Sequence, residues 1–368
     1  MKLLASKHYL WKAYGDKKMR KRKLLLLLLF TMCSVLYGQQ KELAEKLVGE
    51  GVALHDKGDY VGAMAKYDEA LGLDKNNLYA LAEKAMTLMV VQKPEEAIEI
   101  CEVAIKEHKG SDLLYMVYVI YGNANDELGD GNRSIEVYDQ GIKEFPDFYQ
   151  LHFNKGITLL GMGRQEEAIL SFQQSASLNP NHPGSHNAIG RTLYEGNRLI
   201  PSLLAFAMFF VLEPEGDRAR ENLVYVKDIL ERSANRADDN TINISVTAGV
   251  DKKGSTGADD FSSVELLLGL NTALDYDDKY KAETEVERFV RKFEMVCLGL
   301  STQTDDNSGF YWEYYAPFFI EMKSKNQNET FGYIVFVSLG DKDILNWIES
   351  NEGRIIDFYK WVESYKWE

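Results

Sequence analysis

From residue 44 to residue 216 the chain alternates apolar and polar positions in short helical segments, and small and aromatic residues return at fixed places within them. Gly51, Gly58, Ala63, Tyr67 and Ala70 set the phase, and Gly156, Gly163, Ala168 and Phe172 repeat it. The offset from Gly51 to Gly156 is 105 residues, three periods of 34 with three residues inserted. A period in the thirties marks a stack of helical units that bury a shared core.

Each period predicts a helix hairpin. A small residue in the first helix lets the second approach, and a glycine at the turn admits the tight link. An aromatic in the second helix fills the gap, and a proline past its end starts the next unit. The pattern gives five units: 44–77, 78–111, 115–148, 149–182 and 183–216. The second is the weakest, with Cys101 at the aromatic place and Gln92 at the turn. In the fifth, Ser202 to Leu212 is apolar almost all round, which predicts burial against the segments C-terminal to it. Residues 217–232 form one further amphipathic helix (Leu223, Val226, Ile229, Leu230), suited to cap the array.

With these residues in phase, the chain from Ala44 to Gly216 resembles the tetratricopeptide repeat family. The resemblance implies an all-α fold: a right-handed superhelix of five hairpins with a capping helix. It implies a protein or peptide partner in a groove lined by the first helices. Carried over position by position, the lining is Val52 and His55, then Tyr79, Met86 and Met89, then Val119, Asn123 and Asp126. Phe153 and Ile157 come next, and then Arg191 and Tyr194. Val48, Ala82, Met116, Leu160 and Asn187 occupy neighbouring lining positions. The middle of this surface is rich in Met and aromatics, which adapt to varied apolar partners. Family members that clamp carboxylate tails need Lys, Asn and Arg at these places, and this chain departs from that pattern.

Residues 233–260 are polar and read as a linker, with Ile242–Val246 as a candidate strand. Residues 261–368 predict a small, mainly helical domain. Ser262 or Ser263 is the expected cap of its first helix. Leu266–Leu274 and Val286–Leu300 carry helical spacing, and seven aromatics crowd the 14 residues from Gly309 to Met322. Tyr333–Leu339 has strand propensity, but its helical surroundings favour a helix. The aromatic cluster suggests core; a glycan- or peptide-binding patch is the alternative it leaves open.

The N-terminus changes the compartment. Lys17 to Lys23 is basic, the apolar run from Leu24 extends to Tyr37, and Gly38 precedes a polar switch, as in a secretory signal peptide of residues 1–38. Met19, directly before the basic run, offers an alternative start. The apolar run is 14 residues, short of the ~20 a membrane span needs, so an uncleaved anchor is disfavoured. Lipid attachment at Cys33 is disfavoured by its neighbours Thr31 and Met32. Residues 1–38 hold nine basic residues and one acidic, so their removal takes the net charge from −15 to −23. Such a surface argues against nucleic-acid partners. The expected location is therefore periplasmic or secreted.

Cys101 and Cys297 read as two buried thiols rather than a disulfide. His182 and His186 read as turn and capping residues rather than a metal pair, and Thr304–Gly309 as a turn lacking a full calcium-loop pattern. No nucleophile motif, phosphate loop or metal-ligand spacing is present, so neither catalysis nor a cofactor is expected. The expected role is a non-catalytic, exported adaptor.

Overall fold

The computed structural model describes residues 38–238, 241–246, 259–302 and 307–367. The expected signal segment through Tyr37, with Cys33, lies outside them, as do Thr304–Asp306 of the expected turn. The described residues divide into two compact units, up to Phe145 and from Pro146.

The first unit is three hairpins: α1 (residues 38–55) with α2 (Tyr60–Leu73), α3 (Leu78–Val90) with α4 (Pro94–Glu107), and α5 (Leu114–Glu127) with α6 (Gly131–Glu144). A size match closes each hairpin. A Cβ on Gly51 would lie 2.4 Å from the Tyr67 ring, and one on Gly122 would lie 2.2 Å from the Tyr138 ring. Both rings are buried. The second hairpin reaches the same closure with different volumes: Ala85 stands where glycine would, and the smaller Cys101 replaces the ring, both buried. The weak sequence match there is thus a compensated pair.

The turns are equally determined. Gly58 and Gly129 adopt positive φ near +80°, where a Cβ is disfavoured. Gln92 holds the equivalent place at φ +59° without that freedom. Asp59 and Asp130 start their helices by accepting the N–H groups of Gly62 and Arg133 at 2.9 and 3.0 Å. Helix α4 has no such cap, but starts with Pro94, Glu95 and Glu96, which suit an N-terminal turn.

The second unit begins with two more hairpins, α7 (Tyr149–Gly161) with α8 (Gln165–Leu178) and α9 (Pro183–Glu195) with α10 (Leu199–Leu212). The glycine–ring closure recurs at Gly156–Phe172 (2.5 Å) and Gly190–Phe206 (2.9 Å). Helix α11 (Asp217–Arg232) packs on α10. The segment after it is partly strand: β1 (Ala234–Asp238) pairs antiparallel with β2 (Thr241–Ile244). Six helices complete the unit: α12 (Ser262–Thr272), α13 (Glu285–Ser301), α14 (Ala316–Ser324), α15 (Asn328–Phe336), α16 (Lys342–Ser350) and α17 (Glu352–Ser364). The fold is therefore a helical repeat array followed by a C-terminal helical region, and the strand-prone run at Tyr333 is helix.

Helix α10 explains why the two parts of this unit belong together. Every residue from Leu199 to Val211 is buried. One side meets α9 and α11, and another meets α15 and a turn at Tyr311–Tyr315. That turn is π-helical and lies just before Pro317. Proline offers no N–H to the carbonyl four residues back, and its ring crowds that carbonyl, so the helix widens before it. The widening carries aromatic side chains of the turn onto the array. Tyr314 Oη donates to the Ala176 carbonyl of α8 at 2.8 Å, and Tyr315 Oη meets His186 Nδ1 of α9 at 2.7 Å.

The expected serines do not cap α12. The helix begins at Ser262 itself, so that residue is already within the first turn, and Asp260 Oδ1 takes its N–H at 2.9 Å. Cys101 and Cys297 are free and buried, and burial pushes both thiol pKa values up. Six of the seven crowded aromatics are core: Tyr311, Trp312, Tyr314, Tyr315, Phe318 and Phe319 are all buried, and Phe310 is half-buried.

Candidate binding surfaces

None of the twelve predicted lining residues is buried. By contrast Val48 and Ala82, at neighbouring lining positions, belong to the core. The twelve fall in both units, and each unit presents its own surface.

In the first unit, Tyr79, Met86 and Val90 lie along one face of α3 and are 47%, 37% and 46% exposed. Met89 is half-buried beside them, as are Val119, Asn123 and Asp126 on α5. Val52 and His55 are the half-buried contribution of α1. Several of these side chains are held by bonds. Thr87 donates its hydroxyl proton to the Glu83 carbonyl at 2.9 Å, so its oxygen accepts from His55 Nδ1 at 2.8 Å. Tyr138 donates to Asn123 Oδ1 at 2.6 Å. Polar residues on this face are thereby pre-positioned, which lowers the ordering cost of binding.

The same face contains a residue that carrying over family positions missed. Glu83 lies one helical turn from both Tyr79 and Met86 and is only 9% exposed. Burial raises its carboxyl pKa, His55 opposes that, and Asp56 adds to it. The signal was legible as a lone acid in the otherwise apolar start of Leu78-Tyr-Ala-Leu-Ala-Glu83.

In the second unit, α7, α9 and α11 enclose a cavity of about 210 Å³. Its apolar wall is Phe153, Ile157 and Leu160, and α9 adds Asn187, Arg191 and Glu195. Arg218 of α11 completes the rim, turned toward Glu213 with Nε at 2.8 Å. Ile157 is 42% exposed, so the wall opens to solvent. Asn187 Oδ1 is buried with no hydrogen-bond partner, at a cost of about 1–3 kcal/mol.

Arg191 and Tyr194 have prior commitments. Arg191 reaches Tyr225 Oη at 3.2 Å and Glu221 at 3.4 Å, with its guanidinium 5.3 Å from the Tyr225 ring centre. Tyr194 donates to Asp228 at 2.6 Å and accepts from Arg232 at 2.7 Å. Both residues fasten α11 to α9, and of the two only Arg191 borders the cavity.

His182 caps α9 through Nδ1, which accepts the Ser185 N–H at 3.2 Å. His186 is fully buried. Its Nε2 lies 2.8 Å from the Pro180 carbonyl, which can only accept, so the proton sits on Nε2 and Nδ1 accepts from Tyr315. Burial lowers its pKa to about 4, so it is neutral near pH 7. Among the described residues no group of three or more His, Cys, Asp or Glu is placed to hold a metal ion, and no helix is long and apolar enough to cross a membrane.

Hairpins closed by a small residue against a ring, with a left-handed turn between the helices, define the class: a helix-hairpin repeat protein. Residues 122–198 match the tetratricopeptide repeat family. Over these residues the chain carries tetratricopeptide repeats. It is 26% identical over 147 residues to the small glutamine-rich tetratricopeptide repeat-containing protein of Dictyostelium discoideum, covering 40% of this chain and 41% of that one. It is 29% identical over 129 residues to the STIP1 homologue of the same organism, covering 34% and 23%. The chain thus spans less than half the length of these curated relatives. Among solved structures, Pseudomonas aeruginosa pilF is 19% identical, covers 52% of this chain and 85% of its own, and has a TM-score of 0.47.

Proposed function

We propose that this protein is a non-catalytic adaptor that binds a protein or peptide segment along the first-helix faces of its repeats. The observation that carries this is the cavity between α7 and α9. An apolar wall (Phe153, Ile157, Leu160) stands there beside Asn187 Oδ1, a buried acceptor without a donor. A segment laid across it supplies both an apolar side chain and a backbone N–H. The burial of the C-terminal aromatics favours this reading over a glycan-binding patch. In this reading residues 1–38 direct export, and the acidic mature surface excludes nucleic acid as a partner.

The test is selection of short random peptides displayed on phage against the immobilised full chain, then fluorescence polarisation with the selected peptides. Ile157→Ser and Asn187→Ala should each weaken binding about ten-fold, the loss of one anchor or one hydrogen bond. Ile157 is already exposed, so its replacement leaves the core intact. Selected peptides whose affinity is unchanged in both variants would place the binding surface elsewhere.

A further inference from the structure

We propose that the first-unit face reads a basic side chain, Lys or Arg, in the bound segment, with Glu83 as its counter-ion. The inference rests on the adaptor reading and specifies what one stretch of the surface selects.

Glu83 is a carboxylate placed where carboxylates are rarely left alone. It is buried, yet among the described residues its side chain has neither an ion pair nor a hydrogen bond. The nearby cations are otherwise engaged. Lys84 pairs with Asp68 of α2 at 2.6 Å, and His55 gives its Nδ1 proton to Thr87. A buried charge of this kind is costly unless paired, and among the described residues no side chain forms an ion pair or hydrogen bond with it. Burial pushes its pKa up, His55 works against that and Asp56 adds to it; the net rise means that the carboxyl gains from a further cation brought to it.

The surroundings state what would carry that cation. Tyr79 and Met86 flank Glu83 on α3 and are half-exposed, so they can cover the methylene stem of a Lys or Arg while its head reaches the acid. Asp56, in the turn that follows α1, adds negative charge to the same field, and the mature chain as a whole is strongly acidic. Arg suits the site through its fork of donors, and the Tyr79 ring offers it a stacking face. An acidic segment would meet repulsion here, so the site selects by charge as well as by fit.

Phage-displayed random peptides, selected on the full chain, give the readout. The expected result is enrichment of Lys or Arg beside apolar residues in the peptides, with affinity falling about 10- to 100-fold in Glu83→Gln, the range for losing a charge-assisted hydrogen bond. Glu83→Lys should invert the preference toward Asp and Glu, a gain that a misfolded variant cannot give. Peptides enriched without basic residues, or a charge preference unchanged in both variants, would overturn the inference while leaving the adaptor reading in place. Failure to select any peptide would overturn both.

Discussion

Replacing Gly156 by alanine tests whether the glycine–ring match, and not helix propensity, fixes the hairpin. Alone, the change should raise helix propensity by about 1 kcal/mol. Against that, the new Cβ would sit 2.5, 2.6 and 3.0 Å from three atoms of the Phe172 ring, which is fully buried and has nowhere to move. Overpacking of this kind costs about 1–3 kcal/mol, and the short distance argues for the upper end. Gly156→Ala should therefore destabilise by about 2 kcal/mol net. Phe172→Cys alone should cost about 3–4 kcal/mol through lost burial and a cavity. The double variant rebuilds the Ala85–Cys101 pair of the second hairpin. It keeps the propensity gain, removes the clash and part-fills the cavity, so it should cost only about 2–3 kcal/mol. The two changes thus couple by roughly −3 kcal/mol, the size of the clash itself. Urea unfolding gives the total, and native-state hydrogen exchange of the α7 and α8 amides assigns it to this hairpin. Additivity within about 0.5 kcal/mol would refute the size-match account.

Single features elsewhere carry their own expected outcomes. Gln92→Gly should stabilise the first unit by about 0.5–1 kcal/mol, because Gln92 sits at φ +59° where Gly58 and Gly129 hold the same turn; no gain in the thermal midpoint would contradict this. His186 has a folded pKa of about 4 against an ordinary 6.5, so the unfolded chain binds the extra proton between these values. Its contribution is complete above pH 6.5 and lost as pH falls toward 4, by about 3 kcal/mol, and the stability profile of His186→Asn should flatten in that window. Lys292, 4% exposed, relies on Asp275 at 2.5 Å, so Asp275→Ala should cost about 3–5 kcal/mol by stranding a buried charge. Thermal denaturation monitored by circular dichroism would show it, and a midpoint unchanged from the parent would count against that pairing.

The array was legible because its determinants are local and come in pairs. Gly51 and Tyr67, like Gly156 and Phe172, stand 16 residues apart, so one period of sequence contains both halves of each contact. The same locality made the weak second repeat misleading, since Ala85 and Cys101 depart from the pattern separately but satisfy the packing together. The C-terminal helices obey another logic. Their aromatics were readable as core, but the contacts joining Tyr315 to His186 and Tyr314 to Ala176 span 129 and 138 residues, and no periodicity encodes such a pairing. Of the β1–β2 ribbon, the sequence marked a candidate strand at Ile242–Val246, which overlaps β2, but β1 escaped. Only Ala234 of β1 is buried, so its sequence shows no alternation to read. Among surface residues, the carried-over positions fell on exposed apolar side chains such as Tyr79, Met86 and Ile157 but passed over Glu83. A family signature records what the hairpins need in order to pack, and a lone buried acid contributes nothing to that packing. If the charge at Glu83 serves recognition, specificity in this array is written in the residues that packing would sooner replace.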